Sequence, residues 1–162
     1  MALHILTIVH VIISLLAIAS GFVVMAAMVR GEARHPWTAF FLAMTVATSA
    51  TGFLFPIKGF TPALAFGVIS LIVLALAIHA LRSKQLAGDW KKTYIISALF
   101  AQYLNVFVLV VQMFQKIPPL KALAPTQSEP PFGIAQGIVL IVFLWTGFRA
   151  LKRPKPDLTP AS

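Results

Sequence analysis

From Ala2 to Val29 the chain runs without one Asp, Glu, Lys or Arg. Four more apolar runs follow, Trp37–Phe55, Pro62–Leu81, Thr93–Gln115 and Phe132–Leu151. None holds an acid, and Arg149, at the end of the last, is the only Lys or Arg in any of them. About 20 mostly apolar residues suffice for a helix to cross a bilayer. Inside lipid the backbone must bond to itself, so such runs are expected as helices. Composition agrees, with 59% hydrophobic and 10% charged residues in 162. A soluble domain carries roughly 25% charge. The expected fold is all-α, an integral membrane bundle with five transmembrane helices over 2–29, 37–55, 62–81, 93–115 and 132–151. The first run is too long, and too bare of charge at its start, for a cleaved signal peptide.

Topology follows from the basic residues. Arg30, Arg34, Arg82, Lys84, Lys91, Lys92, Arg149, Lys152, Arg153 and Lys155 fall on one side of the runs. Lys58, Lys116 and Lys121 fall on the other. The positive-inside tendency puts the first group in the cytoplasm, so the N-terminus is expected outside and the C-terminus inside a bacterial-type inner membrane. Trp37, Trp90 and Trp145 lie near the basic boundary, where indoles favour the interface. Residues 152–162 are a basic, proline-containing tail expected in the cytoplasm. The net charge of +9 is explained by this arrangement. No basic helix or aromatic-basic motif accompanies it, so nucleic acid is not an expected partner.

The charges elsewhere have ordinary roles. Asp89 is expected to cap the fourth helix. Glu129, before Pro130 and Pro131, suits the start of the fifth. No Asp, Glu, Lys or Arg lies deep in a run, which argues against a carboxylate proton relay. There is no phosphate loop, nucleophile elbow or HExxH motif, and with no cysteine thiolate chemistry is excluded.

The polar residues inside the runs are few. Thr7, His10, Ser14, Ala17 and Gly21 share one face of the first helix. Thr45, Thr48, Ser49 and Gly52 share one in the second, with Thr51 pointing elsewhere. Gln102, Asn105 and Gln112 form a stripe on the fourth, with Gln115 beyond it. Gly133, Gln136 and Gly137 lie on the fifth, at a spacing that permits close packing. One reading is helix–helix contact throughout. The other starts from depth. His10, Thr51, Gln112, Gln115 and Gln136 all fall in the outer half, beneath the connection 116–131, which carries five prolines. Proline stiffens a loop before it binds anything. That loop is expected either as a lid over an outer pocket lined by His10, Gln112 and Gln136, with Thr51, Gln115 and Glu129 nearby, or as a spacer. A quinone- or lipid-like molecule would suit the pocket, its oxygens accepting hydrogen bonds from His and Gln. Haem is the other cofactor weighed. His35 and His79 share a side, whereas His4 and His10 lie on different faces of one helix.

The stretches "TSATGFLFP" (Thr48–Pro56) and "APTQSEPPF" (Ala124–Phe132) resemble segments of small, uncharacterised bacterial multi-pass inner-membrane proteins. The layout is also distantly similar to small helical membrane families suspected of binding haem. The first resemblance implies an inner-membrane location and no particular activity. The second rests on helix count and scattered histidines, and only if haem is bound would His35 and His79 be its ligands. The expected function is a non-enzymatic accessory or ligand-binding membrane protein, with a haem or quinone redox protein and a structural subunit of a larger complex as alternatives. Expected partners are membrane lipids and either a second copy or other membrane subunits.

Overall fold

The computed structural model describes residues 1–56 and 62–152. Lys58 and the basic tail residues Arg153 and Lys155 lie outside the described residues. Among the described residues there are helices and turns but no strands. In order they are α1 (Ala2–Arg30), α2 (Thr38–Gly52), α3 (Pro62–Ile78), a π-helical turn (His79–Ser83), α4 (Trp90–Lys116), α5 (Pro118–Leu123) and α6 (Pro130–Leu151).

Four segments are long and apolar enough to cross a membrane: Ala2–Arg30, Leu64–Ser83, Trp90–Lys116 and Pro130–Leu151. The second apolar run behaves differently. α2 has 15 residues, about 22 Å at 1.5 Å per residue, against a hydrocarbon core of about 30 Å. Phe53, Leu54 and Phe55 are apolar but leave the helix in turns, bonding back to Ala50, Thr51 and Gly52. Pro56 then follows, and the residue before a proline is pushed out of the helical region.

Each helix end has a local cause. α1 stops at Gly31, which takes φ 95°, a left-handed conformation that costs glycine little. Glu32 N–H then reaches Ala27 O (2.9 Å) and Gly31 N–H reaches Met28 O (3.0 Å), the paired bonds of a Schellman stop. α6 opens on Pro130 and Pro131, where a missing N–H is harmless. One expected cap is corrected. Asp89 sits at the start of α4, but its side chain does not cap the helix; Oδ1 instead pairs with Lys92 Nζ at 3.1 Å. Glu129 stands at the start of α6, as expected, and its side chain makes no bond to the helix.

Successive long helices alternate in direction. His10 of α1 meets Thr51 near the end of α2, while Arg34 and Gln85 meet at the opposite end. One end therefore carries Arg30, Arg34, Arg82, Lys84, Lys91 and Lys92 and is called the basic end. The other, the proline-rich end, carries Met1, Pro56 and the 117–131 connection. α4 is the central element and touches α1, α2, α3, α5 and α6. Its Ser97, Ala98 and Ala101 are buried and small, which lets neighbouring backbones come close.

The core is lopsided. Val24, Met28, Phe41, Leu42, Leu74, Tyr94, Ile95 and Ala150 form one cluster toward the basic end. Ile18, Val106 and Phe143 join α1, α4 and α6 further along. Within residues 1–16 no side chain is buried. The Gly-xxx-Gly spacing of α6 does not make a close contact here. A Cβ at Gly133 or Gly137 would meet nothing within 4 Å among the described residues.

Candidate functional site

Four side-chain hydrogen bonds fasten helices together. Gln102 is 1% exposed and donates from Nε2 to Ile18 O at 2.8 Å, joining α4 to α1. Asn105 Nδ2 donates to Thr45 Oγ1 at 3.3 Å, joining α4 to α2. Ser49 Oγ donates to Ser70 Oγ at 3.1 Å, joining α2 to α3. Gln136 Nε2 donates to Phe107 O at 3.1 Å, joining α6 to α4. The Thr7 and Ser14 hydroxyls bond back to Leu3 O and His10 O of their own helix. The α1 stripe is thus one face by spacing, but it serves two neighbours and itself.

His10 stands apart from this pattern. Its Nδ1 lies 2.8 Å from Thr51 Oγ1. Thr51 Oγ1 lies 2.7 Å from Ala47 O, to which it donates. A threonine hydroxyl has one proton, and that proton is committed to Ala47. The network therefore assigns the Nδ1 proton to His10, which donates to Thr51. The ring also meets Phe55 edge-on, with centroids 5.3 Å apart. Neutral His10 then presents Nε2 as a bare lone pair, with no hydrogen-bond partner among the described residues. The half-buried imidazole is held by Thr51 on one side and Phe55 on another, near the proline-rich end.

The other expected pocket residues go elsewhere. Gln112 is exposed and makes no hydrogen bond among the described residues. Gln115 Nε2 reaches Gln127 Oε1 at 3.5 Å. Gln127, which sequence reasoning did not single out, also donates from Nε2 to Val111 O at 2.9 Å. It takes φ 61°, a conformation that no hydropathy pattern reveals. Phe132 packs edge-on against Phe114 at 5.4 Å. The proline-rich connection contains the short helix α5, and the hydrogen bonds that hold it run to α4 and within itself. The structure joins His10 to Thr51 and Gln115 to Gln127, and joins neither pair to Gln136 or Glu129.

Glu129 organises that connection. Its carboxylate accepts from Thr126 Oγ1 at 2.9 Å, Thr126 N–H at 3.3 Å and Ser128 N–H at 3.1 Å. Desolvation pulls the carboxyl upward, but the Thr126 hydroxyl and the backbone N–H groups together outweigh it and hold it below its ordinary value. A depressed carboxylate contributes order that is complete above its unfolded pKa, about 4.3, and is lost as pH falls through the folded value. We expect hydrogen-exchange protection at Thr126 and Ser128, corrected for intrinsic rates, to be flat above about pH 5 and to decline below about pH 4. In Glu129→Gln that pH dependence should be absent.

At the basic end lies a shallow depression of about 400 Å³, lined by Arg34, His35, Pro36, Thr38, Ala39, Leu81, Arg82 and Gln85. It is at the opposite end from His10. Gln85 and Leu86 take φ 51° and 60° just after the π turn, conformations uncommon for residues with a side chain. This places Gln85 Oε1 to accept from Arg34 Nη2 and Gln85 Nε2 to donate to Arg82 O. Beneath, Thr38 and Tyr94 are 3% and 0% exposed. Their side chains are neighbours, yet the hydroxyls fall short of a hydrogen bond and both are left unpartnered. His35 Nδ1 accepts from Trp37 N–H at 3.3 Å. His79 packs edge-on against Trp90 at 5.3 Å. The structure thus gives the two histidines of the haem reading separate partners.

The chain matches no known family model, no curated protein and no solved structure.

Proposed function

We propose that this chain is a small integral protein of a bacterial-type inner membrane, with its N-terminus outside and its basic end in the cytoplasm. Four helices of spanning length support the membrane reading, and the one-sided placement of lysine and arginine supports the orientation. The fifth crossing would be made by the short α2, extended by the apolar Phe53–Phe55 turn. The absence of cysteine makes orientation easy to test. A membrane-impermeant maleimide applied to intact cells stripped of their outer membrane should label Lys121→Cys, and should label Lys84→Cys only after permeabilisation. The reverse pattern overturns the orientation.

Within that frame the favoured function is non-enzymatic binding of a hydroxyl-bearing amphipath such as a hydroquinone or a lipid. The observation that carries it is the bare Nε2 of His10, fixed by Thr51 and Phe55. A ligand hydroxyl would donate to this nitrogen, and its apolar tail would lie along the unburied start of α1. This reverses the expectation that histidine donates to the ligand. A hydroquinone, with a proton to give, should bind more tightly than its oxidised quinone. Native mass spectrometry of gently purified protein is expected to show a discrete bound mass that His10→Ala loses. It should also show more uptake of an added alkyl-benzoquinol than of the matching quinone. A bare mass in both forms removes the ligand reading. It would favour a structural subunit, which the interhelical bonds of Gln102, Asn105, Ser49 and Gln136 already support.

A further inference from the structure

We propose that the depression at the basic end is a second site, which binds a phosphate-bearing anion between Arg34 and Arg82, over the uncapped start of α2 and the unpartnered hydroxyl of Thr38. The first observation is which cations are already occupied. Arg30 pairs with Glu32 and Lys92 with Asp89. Lys84, Arg149 and Lys152 lie over the rings of Trp90, Trp145 and Phe148. Arg34 and Arg82 have neither an acid nor a ring among the described residues. Both are exposed, and both line the depression. Two guanidinium groups offer forked donors that match phosphate oxygens.

The second observation is the floor. α2 begins without a side-chain cap; Thr38 N–H bonds to His35 O, which leaves the N–H groups of Ala39 and Phe40 without a partner among the described residues, together with the positive end of the helix dipole. Thr38 and Ala39, from that turn, line the depression. Thr38 is 3% exposed and its hydroxyl, buried beside that of Tyr94, makes no well-formed hydrogen bond among the described residues, an arrangement that buried polar groups rarely keep unless something else satisfies them. Trp37 N–H donates to His35 Nδ1, so a neutral His35 carries its proton on Nε2 and is a further donor in the lining.

The third observation is how the site is built. Gln85 binds Arg34 and the Arg82 backbone at once, and it does so from a left-handed conformation after a π turn. This holds the two arginines, from connections far apart in sequence, over one volume. That volume of about 400 Å³ lies within the range of small-molecule pockets, about 300–1,000 Å³. A phosphodiester headgroup and a free phosphate share the required chemistry. The lipid source rests on the membrane reading above; the free-anion source does not, and neither depends on His10.

The test uses the full chain in detergent, with phosphatidylglycerol, phosphatidylcholine and inorganic phosphate as probes. The variants are Arg34→Gln/Arg82→Gln, Thr38→Val, and the charge-matched control Lys91→Gln/Lys92→Gln. If the source is lipid, native mass spectrometry should retain one phosphatidylglycerol per chain under conditions that strip phosphatidylcholine, and excess inorganic phosphate should not displace it. If the source is a free anion, titration calorimetry should show inorganic phosphate binding with saturation. In either case the arginine double variant should weaken binding about tenfold or more, because two charge-assisted contacts are lost. Thr38→Val, which keeps the side-chain shape, should weaken it about threefold, the smaller loss of one hydroxyl donor. Equal losses in the lysine control and the arginine variant, or no difference between wild type and the arginine variant for both probes, overturn the site. Thr38→Val binding like wild type overturns the role of the hydroxyl.

Discussion

Gly21→Ala is expected to destabilise the protein by about 2–4 kcal/mol, combining overpacking with the loss of a buried amide bond. A Cβ at Gly21 would lie 2.1 Å from Gln102 Oε1, 2.3 Å from Cδ and 2.6 Å from Nε2. The far end of a long side chain normally yields to such a clash cheaply. Gln102 does not have that freedom, because it is 1% exposed and its Nε2 is bonded to Ile18 O. Moving it breaks the bond and strands an amide whose Oε1 already has no partner. The double variant Gly21→Ala/Gln102→Ala should recover part of the loss, since the methyl group then enters vacated space. A coupling of about 0.5–3 kcal/mol is the usual range for residues in contact. Thermal unfolding in detergent measures all three, with Gly137→Ala as the control. Nothing lies within 4 Å of a Cβ there, and alanine gains up to about 1 kcal/mol of helix propensity over glycine. Strictly additive losses would mean that α1 and α4 do not meet at this point.

The same pair shows what could be read from the chain alone. That residues 2–30 form a helix was legible, because an apolar run of that length has few other options. That Gly21 lies on one face with His10 was also legible, since helical spacing fixes the angle between side chains. Which neighbour each would meet was not. Gly21 faces α4 and His10 faces α2, because α1 crosses both, and crossing points depend on packing between helices. The Gly-xxx-Gly of α6 has the same spacing as a close-contact motif, yet among the described residues its glycines meet nothing within 4 Å of a Cβ, while Gly21, with no partner glycine in register, sits under Gln102. Spacing reports a face; contact needs a second helix.

Hydropathy was equally silent on backbone conformation. Phe53–Phe55 continues the apolar run of α2 but turns away from the helix, and the π turn at His79–Ser83 lies in a segment that reads as uninterrupted helix. Gln85, Leu86 and Gln127 take positive φ without the glycine that normally announces it. These are the places where side chains from distant segments are brought together: Gln85 with Arg34, and Gln127 with Gln115. The features least visible in the sequence are therefore those that shape the basic depression and the proline-rich connection. The features most visible, the apolar runs and the one-sided charge, establish where such sites can lie.

Tyr94→Ala is expected to cost about 3–5 kcal/mol, the range for deleting a large aromatic side chain from a packed core. Tyr94 is fully buried and belongs to the cluster that joins α1, α2, α3 and α4. In the proposed membrane setting helices would gain little from leaving water, so packing would carry more of the association energy and the cavity left by the ring would be felt directly. Tyr94→Phe separates the ring from the hydroxyl. Because that hydroxyl has no hydrogen-bond partner among the described residues, its removal should be neutral or should stabilise by up to about 1 kcal/mol, since the buried group was giving nothing back for its lost hydration. Thr38→Val in the same background should add to Tyr94→Phe without coupling, because the two hydroxyls are neighbours that do not bond. Unfolding curves for Tyr94→Ala, Tyr94→Phe and Tyr94→Phe/Thr38→Val measure this directly. A loss above about 1 kcal/mol in Tyr94→Phe, relieved by Thr38→Val, would show that the hydroxyls bond to each other. Thr38 would then have no free proton for an anion, and the site at the basic end would rest on its arginines alone.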